Sequence, residues 1–156
     1  MTPDRVSAVL GFAAALFASL ALSCGRRSPA PEPVPVGQVN CARCSMVISR
    51  EAQSAQWVVP GEETRFYDDI GCLATDSSQE ATGGARFVQA DGGWRAAEAV
   101  FYARPPGEST PMGYGVVAFQ SREQAAARDQ RGTARTWGDL VAELAAERPG
   151  TGARPD

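Results

Sequence analysis

The stretch RFYDDIGCLAT, residues 65–75, decides the fold, because a strand signal passes directly into a helix start. Its first residues alternate in hydrophobicity, as in a half-buried strand, and Asp68 or Asp69 can then cap a short helix. The stretch VAFQSREQAAA, residues 117–127, has the same order, with a capping box that begins at Ser121 and opens an alanine-rich helix. We therefore expect the same strand–helix unit in both halves of the chain.

Short runs rich in β-branched and aromatic residues flank these stretches and predict further strands. These runs are residues 46–49, 56–59, 85–89, 99–103 and 133–136. A second capping box, from Thr136 to Asp139, opens a helix that places Leu140, Val141 and Leu144 on one face. The order strand, strand, helix, strand thus occurs twice. It predicts an α+β fold, built as a tandem repeat of two small ββαβ units.

The composition of the chain separates a folded region from its ends. Residues 38–146 are the predicted domain, with halves at about 41–93 and 96–146. Residues 24–37 are rich in proline, which favours an extended, semi-rigid linker. Residues 147–156 have little to bury and are predicted to be a disordered tail.

Residues 1–23 predict a lipoprotein signal peptide. Arg5 is followed by an uncharged run rich in Ala, Leu and Phe, which is typical of a secretory signal. The run ends in LALSC, residues 20–24, which resembles a bacterial lipobox, so Cys24 is the expected lipidation site. An uncleaved anchor helix is the alternative, since about 18 apolar residues almost span a bilayer. Either way, we expect a domain held at a membrane of the bacterial cell envelope, facing the periplasm.

The charge and composition exclude several function classes. The formal net charge is −3, so no basic excess points to nucleic acid. The chain contains no histidine, the commonest proton shuttle. The sequence also has no recognisable acid–base dyad, activated nucleophile or phosphate-binding loop. We therefore predict that the protein is not an enzyme and does not bind nucleic acid.

Three sulfur side chains lie close together in CARCSM, residues 41–46. Cys41 and Cys44 have the spacing of a turn whose side chains converge. If Cys44 begins a strand, Met46 projects from the same face. One turn can therefore direct two thiols and a thioether at a single point.

Two further sulfur side chains lie later in the chain. Cys72 is the third residue of the predicted helix if Asp69 is the N-cap, and there the helix dipole favours the thiolate. Met112 lies in the loop TPMGYG, residues 110–115, between prolines and glycines. The plainer alternatives are a buried small hydrophobe for Cys72 and incidental packing for Met112.

A Cys-x-x-Cys pair can serve several chemistries. A c-type haem needs histidine directly after the pair, where this chain has Ser45. A zinc site needs four donors, so three cysteines without histidine would require a carboxylate as well. A structural disulfide or a redox couple stays open, since thiols outside the cytoplasm tend to oxidise. Thiolate plus thioether without imidazole is the donor preference of Cu(I).

The segments CARCSMVIS, FYDDIGCLA and TPMGYGVVAF, in this order and spacing, resemble the NosL family of copper-binding accessory lipoproteins of nitrous oxide reductase. The resemblance covers roughly residues 40–144 and the lipobox. It implies a tandem ββαβ fold and periplasmic delivery of Cu(I) to a multicopper enzyme. By position, it assigns copper ligation to Cys44, Met46 and Met112. This chain has Ser45 where the family has glycine, the residue that a positive φ would favour.

We therefore predict a membrane-anchored Cu(I) metallochaperone that delivers copper to apo nitrous oxide reductase in denitrification, or to another periplasmic copper enzyme. Cys44 and Met46 are the expected primary ligands and Cys41 the third, with Met112 and Cys72 as further candidates. The alternative is a thiol–disulfide oxidoreductase that uses Cys41 and Cys44. A third hypothesis is an interaction module in which a Cys41–Cys44 disulfide only staples the N-terminus.

Overall fold

The computed structural model describes residues 28–79 and 83–147. Within these residues six strands form one mixed sheet that packs with three helices, so the predicted α+β class is confirmed. The strands are β1 (Ala55–Val58), β2 (Arg65–Tyr67), β3 (Ala85–Ala90), β4 (Gly93–Ala96), β5 (Phe101–Ala103) and β6 (Val117–Phe119). The helices are α1 (Ile70–Ser77), α2 (Arg122–Arg128) and α3 (Trp137–Glu147). The predicted signal peptide, the lipidation site Cys24 and nearly all of the predicted tail lie outside the described residues.

The sheet joins the two halves of the chain through one parallel pair of strands. Its order is β2-β1-β3-β6-β5, and β4 also pairs with β3. The pairings within each half are antiparallel. Strands β3 and β6 run parallel, with Ala90 opposite Ala118. Each half therefore forms its own antiparallel group, and β3 connects the two groups.

Local hydrogen bonds begin the helices where the sequence predicts them. Asp69 is the N-cap of α1. Ser121 and Gln124 form the predicted capping box of α2, each side chain accepting from the backbone N–H of the other. At α3 the Asp139 carboxylate accepts from the Thr136 N–H at 2.9 Å, and the Asp139 N–H donates to the Thr136 hydroxyl at 3.3 Å. These caps satisfy N–H groups that a helix start leaves without partners.

Two predicted strands form less structure than expected. Residues 46–49 and 133–136 contribute isolated bridges, at Val47 and at Arg135. A turn at Ser45 and the 3₁₀ turn Glu51–Gln53 bracket the first of these runs, which leaves too few extended residues for a ladder.

Strand β4 was not predicted from the sequence. Asp91 and Gly92, with φ of 50° and 76°, form a two-residue connection between Ala90 and Gly93, which pair across it. An Asp-Gly pair with positive φ at both positions is the favoured connection of a tight hairpin. The sequence signal for this hairpin is the Asp-Gly pair at residues 91–92.

The core lies between the sheet and helices α1 and α3. Trp57 and Tyr102 are fully buried on the sheet. Of the three α3 residues predicted on one face, Leu140 and Leu144 are buried and Val141 is half-buried. No helix among the described residues is long and apolar enough to cross a membrane.

Part of the predicted proline-rich linker packs against the domain. The Glu32 N–H donates to Gln56 Oε1 at 2.8 Å, and Gln56 Nε2 donates to the Glu32 carbonyl at 3.0 Å. Gln56 is fully buried in β1, and Val34 packs against the core. Contacts of the domain therefore extend back to Glu32, inside residues 24–37.

Candidate metal centre

Three thiols from two parts of the chain meet at one point. Cys41 and Cys44 come from the loop before β1, and Cys72 comes from the first turn of α1. Their Sγ atoms all lie within 4.8 Å of one another. Cys41 and Cys72 are each 1% exposed, Cys44 is half-buried, and all three are free thiols. The cluster is therefore buried on one side and open at Cys44.

A tight turn brings Cys41 and Cys44 together. The Cys41 N–H donates to the Met46 carbonyl at 2.7 Å, and the Ser45 N–H donates to the Cys41 carbonyl at 2.9 Å. Ser45 has a φ of 62°, in the left-handed region that glycine adopts most easily. Cys44 thus lies in the turn and does not begin a strand, so the geometric condition for Met46 to share its face is not met. The Met46 side chain is 54% exposed.

The start of α1 fixes the position of Cys72. Asp69 Oδ1 accepts from the Gly71 N–H at 2.8 Å, and the Asp69 carbonyl accepts from the Cys72 N–H at 3.0 Å. Ile70 is the first helical residue, so Cys72 is the third, as predicted. A regular helix therefore holds the buried thiol that faces the Cys41–Cys44 turn.

The three thiols differ in pKa because their hydrogen bonds are unequal. The Cys41 sulfur accepts a hydrogen bond from the Cys72 thiol. It also accepts from the backbone N–H groups of Cys44, Asp68 and Arg43. These bonds lower the pKa of Cys41 to about 5, although burial acts in the opposite direction. The contact with Cys41 and burial raise the pKa of Cys72 far above its usual value, and burial raises the pKa of Cys44. The group with the lowered pKa is therefore Cys41, which accepts the larger number of hydrogen bonds, and not Cys72 at the helix start.

A loop from the second half of the chain packs on the start of α1. Asp69 Oδ2 accepts from the Thr110 hydroxyl at 2.6 Å and from the Met112 N–H at 3.1 Å. The Met112 side chain is half-buried and packs against the core that includes Cys41 and Cys72. The structure thus places Met112 beside the helix end that carries Cys72.

Gly71 allows this loop to approach the helix backbone. A Cβ atom at Gly71 would lie 2.1 Å from Cγ of the Tyr114 ring. The Thr75 hydroxyl donates to the Tyr114 hydroxyl at 3.4 Å on the same face of α1. Any larger residue at position 71 would therefore push the loop away from the cluster.

The two carboxylates next to the cluster already have hydrogen-bond donors. Asp68 Oδ1 accepts from the Ser49 N–H at 2.7 Å and from the Ser49 hydroxyl at 3.1 Å. Asp69 accepts from three groups on α1 and on the loop described above. Among the described residues, the group of ionisable side chains placed to share a metal ion consists of thiols alone. The donor set is therefore soft.

This geometry suits a small thiophilic ion. A metal–sulfur bond of about 2.3 Å would place the sulfurs of such a site roughly 4 Å apart. Thiols within 4.8 Å of one another need only small shifts to reach that separation. Because Cys44 is half-buried, an exchanging ligand has access from one side. The arrangement can therefore hold a metal ion and release it, or take part in thiol exchange.

The sequence ranked these side chains differently from the structure. It placed Cys44 and Met46 first and Cys72 among the further candidates, but the cluster consists of Cys41, Cys44 and Cys72. The signal for Cys72 was the Asp69 cap, which already put the thiol in the first helical turn. The sequence does not indicate that this helical turn packs against residues 41–44.

Comparisons with known proteins add no assignment to this site. The chain matches no protein-family model, no curated protein and no solved structure at a significant level. A sulfur cluster that can hold a metal ion is therefore the functional feature that the fold itself establishes.

Proposed function

We propose that the protein is an extracytoplasmic Cu(I) metallochaperone of the NosL type and not an enzyme. The observation that carries this proposal is the cluster of Cys41, Cys44 and Cys72, with Sγ atoms within 4.8 Å of one another. A buried set of thiols in a chain without histidine matches the donor preference of Cu(I).

Zinc fits this site less well than Cu(I). A structural zinc site is closed by four donors, usually thiolate and imidazole. Here three thiols come together, and the neighbouring carboxylates of Asp68 and Asp69 are engaged by hydrogen bonds. Cu(I) accepts three sulfur donors without a fourth.

Two thioethers extend the proposed ligand set. Met112 is half-buried against the core, and Asp69 holds its backbone beside the helix end that carries Cys72. Met46 follows the Cys44 turn and is 54% exposed. We assign the resting site to the three thiols, Met112 to a supporting position within the fold, and Met46 to the solvent side.

The sequence resemblance supplies the client and the location. Its three segments contribute Cys44, Cys72 and Met112, which the fold gathers around the start of α1. The φ of 62° at Ser45 is a conformation that the family's glycine would adopt readily. By this resemblance the protein is a lipoprotein, anchored through Cys24 and facing the periplasm. It would deliver Cu(I) to apo nitrous oxide reductase or to another periplasmic copper enzyme.

The order of elements supports the tandem repeat that the resemblance implies. The first half runs β1, β2, α1, β3, and the second half runs β5, β6, α2 and an extended bridge at Arg135. Strand β1 pairs with β2 and β3, and β5 pairs with β6 and bridges to Arg135. The first strand of each half is thus flanked by the second strand and by the last extended segment.

A thiol–disulfide oxidoreductase is the second candidate, because Cys41 and Cys44 lie in one turn. An attacking cysteine in such an enzyme is an exposed thiol with a lowered pKa. Here the cysteine with the lowered pKa, Cys41, is 1% exposed, and the accessible Cys44 has a raised pKa. The cluster therefore favours metal binding over thiol exchange.

The test is an anaerobic titration of the reduced protein with Cu(I) against a competing chelator. We expect tight binding of one Cu(I), and Cys44→Ser should weaken it by at least about a hundredfold. That loss exceeds what removing a neighbour of a metal ligand usually costs. Equal affinities of wild type and Cys44→Ser would contradict the proposal.

Two controls separate the candidates. Ala127→Ser places the same hydroxyl group at an exposed position on α2 and should leave Cu(I) affinity unchanged. A reduction assay with a model disulfide substrate measures thiol exchange in the same samples. Met46→Ala, on the solvent side of the site, should weaken copper retention much less than Cys44→Ser does and should not alter the exchange rate. Fast disulfide reduction combined with weak Cu(I) binding would favour the oxidoreductase.

A further inference from the structure

The three thiols of the metal cluster differ in their access to solvent. Cys41 and Cys72 are each 1% exposed, whereas Cys44 is half-buried. A disulfide compound outside the protein must contact a thiol directly before it reacts, because thiol–disulfide exchange is the attack of one sulfur on another. An oxidant of this kind therefore reaches the cluster first at Cys44.

A single turn of the chain joins Cys44 to Cys41. It is closed by the hydrogen bond that the Ser45 N–H donates to the Cys41 carbonyl at 2.9 Å. In a turn of this i→i+4 type the first and fourth Cα atoms are about 5 Å apart, and a disulfide joins residues whose Cα atoms are about 4.4–6.8 Å apart. The two Sγ atoms already lie within 4.8 Å of each other. Rotation of the side chains within this turn is therefore sufficient to bond them.

Cys72 is held by a different part of the fold. It lies in the first turn of α1, where its N–H donates to the Asp69 carbonyl at 3.0 Å. Residues 70–75 of this helix are all buried. Because a packed interior resists displacement, this turn of helix cannot shift towards Cys44 without disturbing the core. The Cys41–Cys44 pair therefore requires the smaller rearrangement.

We propose that Cys44 is a site of reversible oxidation by disulfide compounds, and that the resulting Cys41–Cys44 disulfide closes the metal site. This inference rests on the proposed function and describes its regulation outside the cytoplasm, where thiols tend to oxidise. The Cys44 sulfur attacks a disulfide R–S–S–R, forms Cys44–S–S–R and releases one R–SH. The Cys41 sulfur then attacks the Cys44 sulfur and releases the second R–SH. Two protein thiols are oxidised, one disulfide is reduced to two thiols, and each leaving sulfur takes up the proton that the attacking thiol loses.

This oxidation removes two of the three proposed metal ligands at once. The sulfurs of a disulfide are bonded to each other and are no longer thiolates, which are the form that binds metal. Cys72 stays a thiol, so one donor remains where the reduced cluster has three. A bound ion conversely occupies Cys41 and Cys44 and opposes their oxidation, because the coupling between two binding or chemical equilibria is reciprocal. The reduced protein thus captures Cu(I), and the oxidised protein does not.

The test oxidises the full-length reduced protein anaerobically with glutathione disulfide and follows each cysteine separately. Trypsin cleaves after arginine and places the cysteines of the cluster on three peptides, residues 28–43, 44–50 and 66–86, with Cys24 on a fourth. After alkylation of the remaining thiols, mass spectrometry should find peptide 28–43 joined to peptide 44–50, and Cys72 alkylated. The oxidised protein should bind Cu(I) at least about a hundredfold more weakly, a larger loss than removing a neighbour of a metal ligand usually causes. One equivalent of Cu(I) should slow the oxidation by about tenfold or more, as reciprocal coupling requires.

Three variants separate the two steps of the oxidation. Cys44→Ala removes the accessible thiol and should slow oxidation of the two buried thiols by about tenfold or more, since susceptibility follows exposure. Cys41→Ala keeps the accessible thiol, so glutathione should stay bound at Cys44 as a mixed disulfide. Ala127→Cys is the matched control, because it exposes a thiol on α2, away from the described cysteines, which all belong to the cluster. It should likewise retain glutathione.

The outcomes distinguish this inference from the proposed function on which it rests. A Cys41–Cys72 disulfide as the earliest product, or equal oxidation rates of wild type and Cys44→Ala, would overturn Cys44 as the site of oxidation. Oxidised wild type that binds Cu(I) as tightly as the reduced protein would overturn the closing of the metal site. Both results leave tight Cu(I) binding by the reduced protein intact. Weak Cu(I) binding by the reduced wild type would instead overturn the proposed function itself.

Discussion

Helices α1 and α2 begin in the same way but use their first turns differently. Each follows a short strand, and each has a side-chain N-cap, Asp69 in α1 and Ser121 in α2. The third helical residue is Cys72 in α1 and Gln124 in α2. In α2 the cap and the third residue bond to each other and close a local box.

In α1 the same two positions make contacts far along the chain. The Asp69 carboxylate accepts from Thr110 and Met112, and the Cys72 thiol donates to Cys41. When the N-cap and the third residue hydrogen-bond to each other, as in α2, they stabilise the helix alone. When they hydrogen-bond to residues far along the chain, as in α1, they can bring distant segments together into one site. The difference explains why α1, and not α2, carries the candidate metal centre.

The strongest test of this comparison removes the sulfur of the third helical residue. Cys72→Ala should lower Cu(I) affinity by at least about a hundredfold, or roughly 2.7 kcal/mol. One of three converging donors is lost, while the helix retains a good helix former. Chelator competition measures the loss, and far-UV circular dichroism checks the fold.

The reciprocal change is Gln124→Cys, which gives α2 a thiol at the matching position. It should create no additional Cu(I) site, because the described cysteines all belong to the cluster at α1. A second equivalent of tightly bound Cu(I) would show that the helix position alone is sufficient.

The next test weakens the outward-facing cap. Asp69→Asn leaves one acceptor oxygen and places an amide against the Met112 N–H or the Gly71 N–H, so one of these bonds is lost. A hydrogen bond to a charged group contributes about 1.5–3 kcal/mol, and we expect a loss of that size in the free energy of unfolding by urea. Ser121→Ala, which breaks only the local box, should cost about 1 kcal/mol. Equal losses would mean that the two caps have the same role.

A third test separates the loop from the helix. Gly71→Ala introduces a Cβ 2.1 Å from the Tyr114 ring. Overpacking of this kind costs about 1–3 kcal/mol, again measured as the free energy of unfolding. Glu123→Ala, at the second residue of α2, should change the free energy of unfolding by less than about 0.5 kcal/mol.

A double-mutant cycle identifies the cause of the Gly71 effect. In a Tyr114→Ala background the added methyl group has space, so Gly71→Ala should lose most of its cost. An undiminished cost in that background would place the strain in the helix itself rather than in the contact with the loop.

The smallest expected effect concerns the turn opposite Cys72. Ser45→Gly should raise the free energy of unfolding by about 0.5 kcal/mol, since glycine adopts a φ of 62° with less strain than serine. Ser45→Ala keeps the Cβ and should bring no gain. A stabilisation shared by both variants would point to the serine hydroxyl instead of the backbone.

Sequence reasoning was most successful where the interacting groups are neighbours in the chain. It predicted a cap at Asp68 or Asp69, both capping boxes and, for a cap at Asp69, the helical position of Cys72, because each depends on residues within one turn. It was less successful for residues 46–49, where a run rich in β-branched residues predicted a strand but a positive φ at Ser45 leaves only a bridge. That φ is imposed by the hydrogen bonds that close the Cys41–Met46 turn.

The sequence by itself determined the chemical character of this protein: three thiols in the region beyond Cys24, no histidine, and helix starts defined by short capping motifs. Only the tertiary structure decided that Cys72 joins Cys41 and Cys44 and that Met46 stays exposed. The physical reason is chain separation. A cap forms within one turn, whereas gathering thiols from distant segments requires loop closure, whose entropic cost is met by the packing of the whole core around them.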